Sequence, residues 1–294
     1  MIDKLEIFIA LARERHFGRA AQALGITQPS VSSAIRQLEE QLGVQLVFRG
    51  ARFMGLTPEG QRVLDHARRI AGDLRTMRDE MRAVRAGLSG NLRIGVIPTA
   101  LPMVADLTGA LLAAHPNLRI AILSRNSAEI LAGIEAMELD AGITYLDNDP
   151  LGRVTAVPLY VEFYRLVCAP GSALAARAGV TWAEVAGQPL CLLTADMQNR
   201  RIVNQHLAVA GAAVAPRVES NSTVALIAHV MTGHWSSVVP MRLAAMFAGD
   251  RRLASIPIVA PEVEHQVGLV APRRELQTPV LAALIAAAER LGGR

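Results

Sequence analysis

The 294-residue chain is 51% hydrophobic and 19% charged, an ordinary globular composition that excludes fibrous and disordered classes. Its length favours two or more folding units whose cores need neither metal nor disulfide. The first residues lack a secretory signal and no apolar run is long enough to span a membrane, so we expect a cytoplasmic protein without a membrane partner.

The excess positive charge lies entirely in the first third of the chain. Residues 1–90 carry 14 Lys and Arg against 10 Asp and Glu, whereas residues 91–294 carry 16 against 16. A basic module joined to a neutral one predicts one end that faces phosphates and another with a separate task. All basic residues except Lys4 are arginine, which suits phosphate and guanine, although a GC-rich genome would give the same bias.

Three helices are predicted near the N-terminus. Apolar residues recur at helical spacing from Leu5 to Ala12, and a short alanine-rich helix over 19–24 ends at Gly25. Thr27 has the side chain of an N-cap and Pro29 is tolerated in a first turn, so the third helix is predicted over 28–42.

The third helix is predicted to present a polar outer face. At about 100° per residue, Val31, Ile35, Leu38 and Leu42 fall on one side and form the expected buried stripe. The other side and its flanks carry Pro29, Ser30, Ser32, Ser33, Arg36 and Gln37. Short hydroxyls and one guanidinium let a helix enter the major groove and meet base edges, so we predict a recognition helix.

A basic hairpin follows the third helix. Residues 46–56 alternate around Gly50 and Ala51, with Arg49 and Arg52 near the tip. A basic hairpin beside a helix-turn-helix is a wing, and we expect it to contact phosphate or the minor groove.

A long helix is predicted from Pro58 to about Ala86, with Thr57 as its cap. Its apolar residues follow one another at steps of three or four, and the series extends two residues beyond Ala86. The series is Leu64, Ala67, Ile70, Leu74, Met77, Met81, Val84 and Leu88. This spacing is near that of a coiled-coil seam and predicts dimerisation along the helix. Packing against the chain's own C-terminal part is the alternative.

From Asn91 onward, apolar strands alternate with helices, which favours parallel-rich sheets covered on both faces, in one sheet or two lobes. Strands are predicted over 92–97, 118–123, 141–146, 164–169, 190–194, 235–239 and 267–271. Helices are predicted over 99–114, 128–138, 199–210, 222–232 and 277–291. The two cysteines, Cys168 and Cys191, lie within apolar runs, where buried reduced thiols are expected.

The stretch HFGRAAQALGITQPSVSSAIRQLEEQLGVQLVFRGARFMGLTPEG resembles the winged helix-turn-helix of LysR-type transcriptional regulators. Chain length, the long helix and the α/β pattern extend the resemblance over essentially the whole chain. Val47 departs from it, because the family usually has Phe there. Residue by residue, the resemblance assigns DNA binding to Gln28, Pro29, Ser30, Ser33 and Arg36 in the recognition helix and to Arg49 and Arg52 in the wing.

The resemblance implies an α/β protein with an all-α-rich N-terminal winged helix-turn-helix over 1–58, a linker helix over 59–90 and an effector-binding domain over 91–294. That domain would have two Rossmann-like lobes of the periplasmic-binding-protein type, lobe I over 91–161 and 267–294 and lobe II over 162–266. The implied partners are double-stranded DNA with a dyad site, further copies of the chain in a homodimer or homotetramer, RNA polymerase, and a small anion or carboxylate held between the lobes.

Residues at strand and helix ends, all of them polar except Ala100, are the candidate effector ligands. They are Thr99 and Ala100 after Pro98, Ser124 and Ser127, Thr144, Gln198 and Asn199 after Met197, and Asn221 beside Ser222. Ordinary cap or turn roles are the alternative. The segments VIPTAL, DAGITYLDNDPLGRV and LTADMQNRR are also similar to regulators of NAD-dependent formate dehydrogenase operons.

Enzymatic chemistry is not predicted. No phosphate-loop, dinucleotide, zinc-protease or nucleophile-elbow motif is present, and the seven histidines are scattered without ligand spacing. An enzyme would need a clustered nucleophile or metal set, and a solute-binding transport component would need an export signal. We therefore expect a ligand-responsive transcription factor with no cofactor.

Overall fold

The computed structural model describes the chain except residues 49–52, 148–149, 213–214, 248, 274–276 and 294, and it leaves out the side chains of 79 and 82–86. The chain forms two compact units, Met1–Ala86 with Glu275–Pro279, and Gly87–Arg274 with Val280–Arg294. In the described part of the chain, no helix is both long and apolar enough to cross a bilayer.

The first unit contains four helices, α1 Ile2–Glu14, α2 Phe17–Leu24, α3 Gln28–Leu42 and α4 Pro58–Ala86. Phe8, Leu11, Val31 and Leu38 form the centre of its core. Helix α2 begins two residues earlier than predicted, because the His16 ring nitrogen Nδ1 accepts from the backbone amides of Gly18 and Arg19 at 3.0 and 3.3 Å and caps the helix.

The buried stripe of α3 differs from the prediction at its end. Val31, Ile35 and Leu38 are buried, but Leu42 is 39% exposed and the prediction for it was wrong. Glu39 is buried instead, at 8% exposure. Helix α3 ends at Leu42, and the chain that follows folds back over Glu39, whose carboxylate accepts its backbone hydrogen bonds.

The arms of the predicted hairpin pair as expected. Val47 and Leu56 form an antiparallel bridge, and the Phe48 amide donates to the Gly55 carbonyl at 3.1 Å. Arg49 and Arg52 lie outside the described residues. A methyl group at Gly60 of α4 would lie 2.0 Å from the Leu46 carbonyl oxygen. Only glycine at position 60 therefore lets α4 pack this closely against the first arm of the hairpin.

Helix α4 has the bounds predicted from its apolar spacing, but it is shorter than the linker helix over 59–90 that the resemblance implied, because residue 90 already begins a strand. Leu64 and Ala67 are buried in the core of the first unit. Further along the same stripe, Ile70, Met77 and Met81 are 45%, 53% and 58% exposed. This apolar stripe therefore remains available to a partner, as dimerisation requires.

The second unit is built on strands separated by helices. The strands are β1 Gly90–Val96, β2 Leu118–Ser124, β3 Ala141–Tyr145, β4 Val154–Cys168, β5 Val180–Thr181, β6 Cys191–Leu193, β7 Val218–Ser220, β8 Ser237–Pro240, β9 Ala254–Ala260 and β10 Glu264–Pro272. The helices are a 3-10 turn Pro98–Ala100, α5 Leu101–Ala114, α6 Ser127–Glu135, α7 Trp182–Ala186, α8 Gln198–Val209, α9 Thr223–Met231, α10 Met241–Ala245 and α11 Pro279–Gly292.

The sheet is mixed rather than parallel-rich. Its order is β2-β1-β3-β10-β4-β9-β5, with β8 also paired to β4 and with β6 and β7 in a separate pair. The pairs β1–β2, β1–β3, β5–β9 and β6–β7 are parallel, but β10 is antiparallel to β3 and β4, and β4 is antiparallel to β8 and β9. Two long antiparallel strands thus join two smaller parallel-containing halves.

Strand β4 is shared by the two halves. Its first part pairs with β10, and Tyr164 to Cys168 pair with β8 and β9. A register shift occurs where Pro158 faces Gly268. Proline has no amide to donate, and this bulge accommodates it within a strand that would otherwise be interrupted.

Candidate DNA-binding face and effector cavity

The outer face of α3 is exposed. Gln28, Pro29, Ser30, Ser33 and Arg36 are exposed and Ser32 is half-buried. The Thr27 side chain caps the helix by accepting from the Ser30 amide at 3.3 Å. The guanidinium and hydroxyls on this face can reach duplex DNA, and their contact with it stays a prediction.

Glu39 holds the chain that leads into the wing. Its Oε1 accepts hydrogen bonds from the backbone amides of Leu46 and Val47 at 2.8 and 3.3 Å. Both amides belong to buried residues, so the carboxylate satisfies donors that water does not reach. Sequence periodicity missed this residue, since an acidic side chain beside the apolar stripe is usually solvent-exposed.

A small cavity in the second unit collects half of the predicted effector ligands. Thr99, Ser127, Gln198 and Asn199 line it, together with Ile97, Pro98, Asn126, Tyr145, Leu193 and Met197. Its volume is about 10 Å³, which is room for roughly one water molecule. Both halves of the unit contribute to its wall.

Helix starts position the polar groups of the cavity. Helix α6 begins at Ser127, α8 begins at Gln198, and the 3-10 turn that leads into α5 contains Thr99. Asn126 caps α6 with a reciprocal bond to Glu129, but the first turn of α8 has no side-chain cap. Uncapped amides and the positive ends of helix dipoles favour an acceptor atom in the cavity.

Three polar atoms at the cavity are buried without a partner. Gln198 is 3% exposed and Ser127 is 4% exposed. Within the described part of the chain, neither amide atom of Gln198 nor the hydroxyl of Ser127 has a hydrogen-bond partner. Leaving such groups unpaired costs roughly 1–3 kcal/mol each, and a bound ligand is one way to satisfy them.

Tyr145 connects the cavity to a buried carboxylate. Its hydroxyl accepts from Asn199 Nδ2 at 3.3 Å and lies 3.5 Å from Thr99 Oγ1. The same hydroxyl donates to Glu162, which is 2% exposed. Burial raises the pKa of Glu162 to about 7, although hydrogen bonds from Tyr145, Tyr160 and Tyr164 partly oppose that rise.

A second carboxylate lies beside the cavity wall. Asn126 Nδ2 donates to Asp196 Oδ2 at 3.1 Å, joining the two halves of the unit. The nearby Thr194 side chain first, and then the hydrogen bond from Asn126, lower the pKa of Asp196. No Lys, Arg or His is among the described residues that line the cavity.

The other predicted effector ligands do not line the cavity. Ser124 and Asn221 are exposed, Ala100 is buried in the 3-10 turn, and Thr144 is fully buried in β3. Tyr145, the neighbour of the predicted ligand Thr144, lines the cavity. Successive strand residues point to opposite faces, so a choice one residue away selects the wrong face.

The two cysteines are buried and free. Burial raises the pKa of both thiols, that of Cys191 to about 11. The thiolate is the reactive form of cysteine, so neither side chain is suited to rapid oxidation. Neither cysteine lines the cavity.

Two family models together match nearly the whole chain. Residues 2–61 match the model described as "Bacterial regulatory helix-turn-helix protein, lysR family". Residues 85–292 match the model described as "LysR substrate binding domain". The junction between these matches falls near the end of α4.

Named relatives resemble the chain over most of its length. A "Probable hydrogen peroxide-inducible genes activator" of Mycobacterium avium is 31% identical over 276 residues, which is 92% of this chain and 87% of the relative. The "DNA-binding transcriptional dual regulator OxyR" of Escherichia coli K12 is 28% identical over 270 residues, 92% of this chain and 88% of the relative. A full-length cysteine variant of OxyR from Pseudomonas aeruginosa has a TM-score of 0.77 and 25% identity, covering 99% of this chain and 95% of that one.

Proposed function

Because the chain belongs to the LysR family of DNA-binding transcriptional regulators, we propose that the outer face of α3 reads a promoter and that the cavity holds its effector. The relatives are transcriptional regulators rather than enzymes, and this protein is likewise a transcriptional regulator. The observation that carries the effector assignment is the set of unpartnered buried atoms on Gln198 and Ser127.

The proposed assembly is a dimer of dimers that acts in the cytoplasm, where its DNA is. The exposed stripe of Ile70, Met77 and Met81 on α4 supports pairing of two copies along this helix. Two copies related by a two-fold axis would bind two dyad-related half-sites. Contact with RNA polymerase is part of the same proposal.

The cavity favours a small neutral molecule that both donates and accepts hydrogen bonds. The Gln198 carboxamide offers a donating NH2 group and an accepting oxygen, so an anion without a donor would leave its oxygen unpaired. The nearby carboxylates of Asp196 and Glu162 also oppose a negative ligand. The proposed class therefore replaces the small anion or carboxylate expected from the sequence.

The response is proposed to depend on binding rather than on thiol oxidation. Relatives of this chain are named for hydrogen peroxide induction, but the buried thiols of Cys168 and Cys191 have raised pKa values. Hydrogen peroxide itself is a small neutral molecule that donates and accepts, so it is one candidate for noncovalent binding. The formate dehydrogenase likeness gains no support from the names of these relatives.

Binding would shift the population of arrangements of the two halves, because both contribute ligands and because the cavity has room for only about one water molecule, so that a larger effector needs the halves to move slightly apart. A ligand that pairs Ser127 in one half and Gln198 in the other stabilises the arrangement that brings them together. The change in geometry would alter how the assembled regulator bends its promoter.

Replacing Arg36 by Ala is expected to weaken binding to the protein's own upstream promoter by about 1–3 kcal/mol, or roughly 5- to 150-fold, because one base-reading guanidinium is lost. Fluorescence anisotropy and footprinting at fixed salt measure the change. Arg62→Ala is the control, since it removes the same charge from an exposed position of α4. Equal footprints from wild type and Arg36→Ala, or a wild-type footprint without dyad half-sites, would contradict the proposal.

Thermal shift with a panel of small molecules tests the effector class. Formamide, glycolamide, urea and hydrogen peroxide donate and accept, whereas formate and acetate only accept. We expect at least one member of the first group to raise the Tm by several degrees at saturation, since a ligand of the folded state stabilises it. A shift with the anions alone, or with no member of the panel, contradicts the assignment.

Two variants localise that response. Gln198→Leu is expected to abolish the shift, because leucine has similar volume and no polar atom. Ser124→Ala, at an exposed position outside the cavity, should leave it unchanged. Combined replacement of Cys168 and Cys191 by Ala should also preserve the thermal shift. If the double variant loses the shift, the response depends on the thiols and the binding proposal is wrong.

A further inference from the structure

A second concavity of the second unit lies on the part of β4 that pairs with β8 and β9. It has a volume of about 350 Å³ and is lined by Arg165, Val167, Met241, Ala244, Ala245, Phe247, Leu253 and Ser255. We refer to this concavity as the β4–α10 groove. It shares no lining residue with the effector cavity.

An arginine held by two hydrogen bonds lines the groove. Arg165 Nε donates to Ser255 Oγ at 2.8 Å, and Arg165 Nη2 donates to the Ser255 carbonyl at 3.1 Å. Arg165 is half-buried on β4. Both partners are neutral, so these bonds hold the guanidinium in place without compensating its charge.

No carboxylate in the described part of the chain forms an ion pair with Arg165. A guanidinium has five N–H donors in a planar fork, and the bonds to Ser255 use two of them. The remaining donors, including both on Nη1, suit a carboxylate in the geometry that arginine prefers.

The walls around Arg165 are apolar. Val167 lies two residues along β4, on the same face of the strand, and is 2% exposed. Met241, Phe247 and Leu253 extend the apolar surface toward solvent, and Met241 is 41% exposed. A groove lined by one cation and several apolar side chains is complementary to a molecule with one anionic end and one apolar end.

We propose that the β4–α10 groove binds an amphipathic monocarboxylate, with its carboxylate on the Arg165 guanidinium and its hydrocarbon part against Met241, Phe247 and Leu253. This ligand is larger than the molecule proposed for the effector cavity. It also carries a negative charge, whereas the proposed effector is neutral. Binding there adds a second input on β4, the strand that also carries Glu162 behind the effector cavity. The inference does not depend on the proposed effector class.

Isothermal titration calorimetry of the full-length protein with octanoate tests this site. Octan-1-ol has the chain without the charge, and acetate has the charge without the chain. We expect octanoate to bind at least tenfold more tightly than either. Equal binding of octanol and octanoate would remove Arg165 from the site and overturn the proposal, as would the absence of octanoate binding.

Variants separate the groove from other binding modes. Arg165→Gln keeps an N–H donor for Ser255 and loses the charge, and it should weaken octanoate binding tenfold or more. Arg119→Gln removes an exposed arginine of β2 and should have no effect. Ala245→Trp, at an exposed position on the groove wall, should block octanoate, whereas Gln198→Leu should bind it as wild type does.

Sedimentation of Ala245→Trp completes the test. An unchanged oligomeric state together with lost octanoate binding supports a small-molecule site. A changed oligomeric state without octanoate binding to wild type would assign the groove to a contact between copies and overturn the proposal.

Discussion

The wild-type protein is expected to lose stability as the pH rises toward 8, and the Glu162→Gln variant is expected not to show this loss. The pKa of Glu162 is raised from 4.5 to about 7 by burial, so the folded state holds this proton more tightly than the unfolded state. The stabilisation that this proton contributes to the folded state is fully present below pH 4.5, and it is lost as the pH rises through about 7. The shift corresponds to a change on the order of 3 kcal/mol.

Chemical denaturation between pH 4.5 and 8 measures this effect as the difference between wild type and variant. Glutamine still accepts the Tyr145 hydrogen bond and cannot ionise, so the stability of Glu162→Gln relative to wild type should rise with pH. Glu264→Gln is the control, because Glu264 is exposed and its Cα pairs with Phe163, next to Glu162 in the strand. Parallel curves for wild type and Glu162→Gln would show that the carboxyl ionises equally in both states.

Replacing Glu39 by Ala is expected to destabilise the first unit by roughly 2–6 kcal/mol and to weaken DNA binding. The substitution leaves the buried amides of Leu46 and Val47 without their acceptor, and each unpaired buried donor costs about 1–3 kcal/mol. These amides begin the arm of the wing, so its position relative to α3 is lost with them. Denaturation and promoter anisotropy measure the two effects.

Two matched variants isolate the cause. Glu39→Gln retains a side-chain oxygen at the same reach and should recover most of the stability. Glu40→Ala changes the exposed neighbour and should stay within about 0.5 kcal/mol of wild type. If Glu39→Gln is as damaging as Glu39→Ala, the charge rather than the accepted hydrogen bonds is responsible.

The helices of the first unit could be predicted because their ends are encoded locally. Thr27 caps α3, Gly43 ends it with a positive φ of 68°, and Pro58 opens α4. The side that Glu39 faces could not be predicted, because its burial depends on amides seven and eight residues further along the chain. The local sequence pattern predicts where the helices begin and end. The burial of a polar side chain such as Glu39 depends on hydrogen bonds to residues further along the chain.

Strand predictions were least complete where tertiary pairing defines the strand. Only 164–169 of β4 was predicted, since Pro158 argues against a strand unless a bulge accommodates it. Strands β5 and β7 have two and three residues, too few for a hydrophobic period to be visible. Half of the predicted effector ligands line one cavity because they begin helices, and Tyr145 was missed because its strand is buried throughout.

The pairing of β4 with β10 limits how the regulator can respond. Nine register pairs, interrupted by the bulge between Pro158 and Tyr160, link these strands, and Tyr164 to Cys168 of β4 then pair with β8 and β9. A swivel needs a few residues that are free to change their dihedral angles, and this connection holds its residues in a ladder. A wide opening of the two halves would have to break this ladder, whereas a small twist of the strands would leave its hydrogen bonds in place. For the small effector proposed above, the movement to be biased is therefore a slight twist of the two halves about β4 and β10.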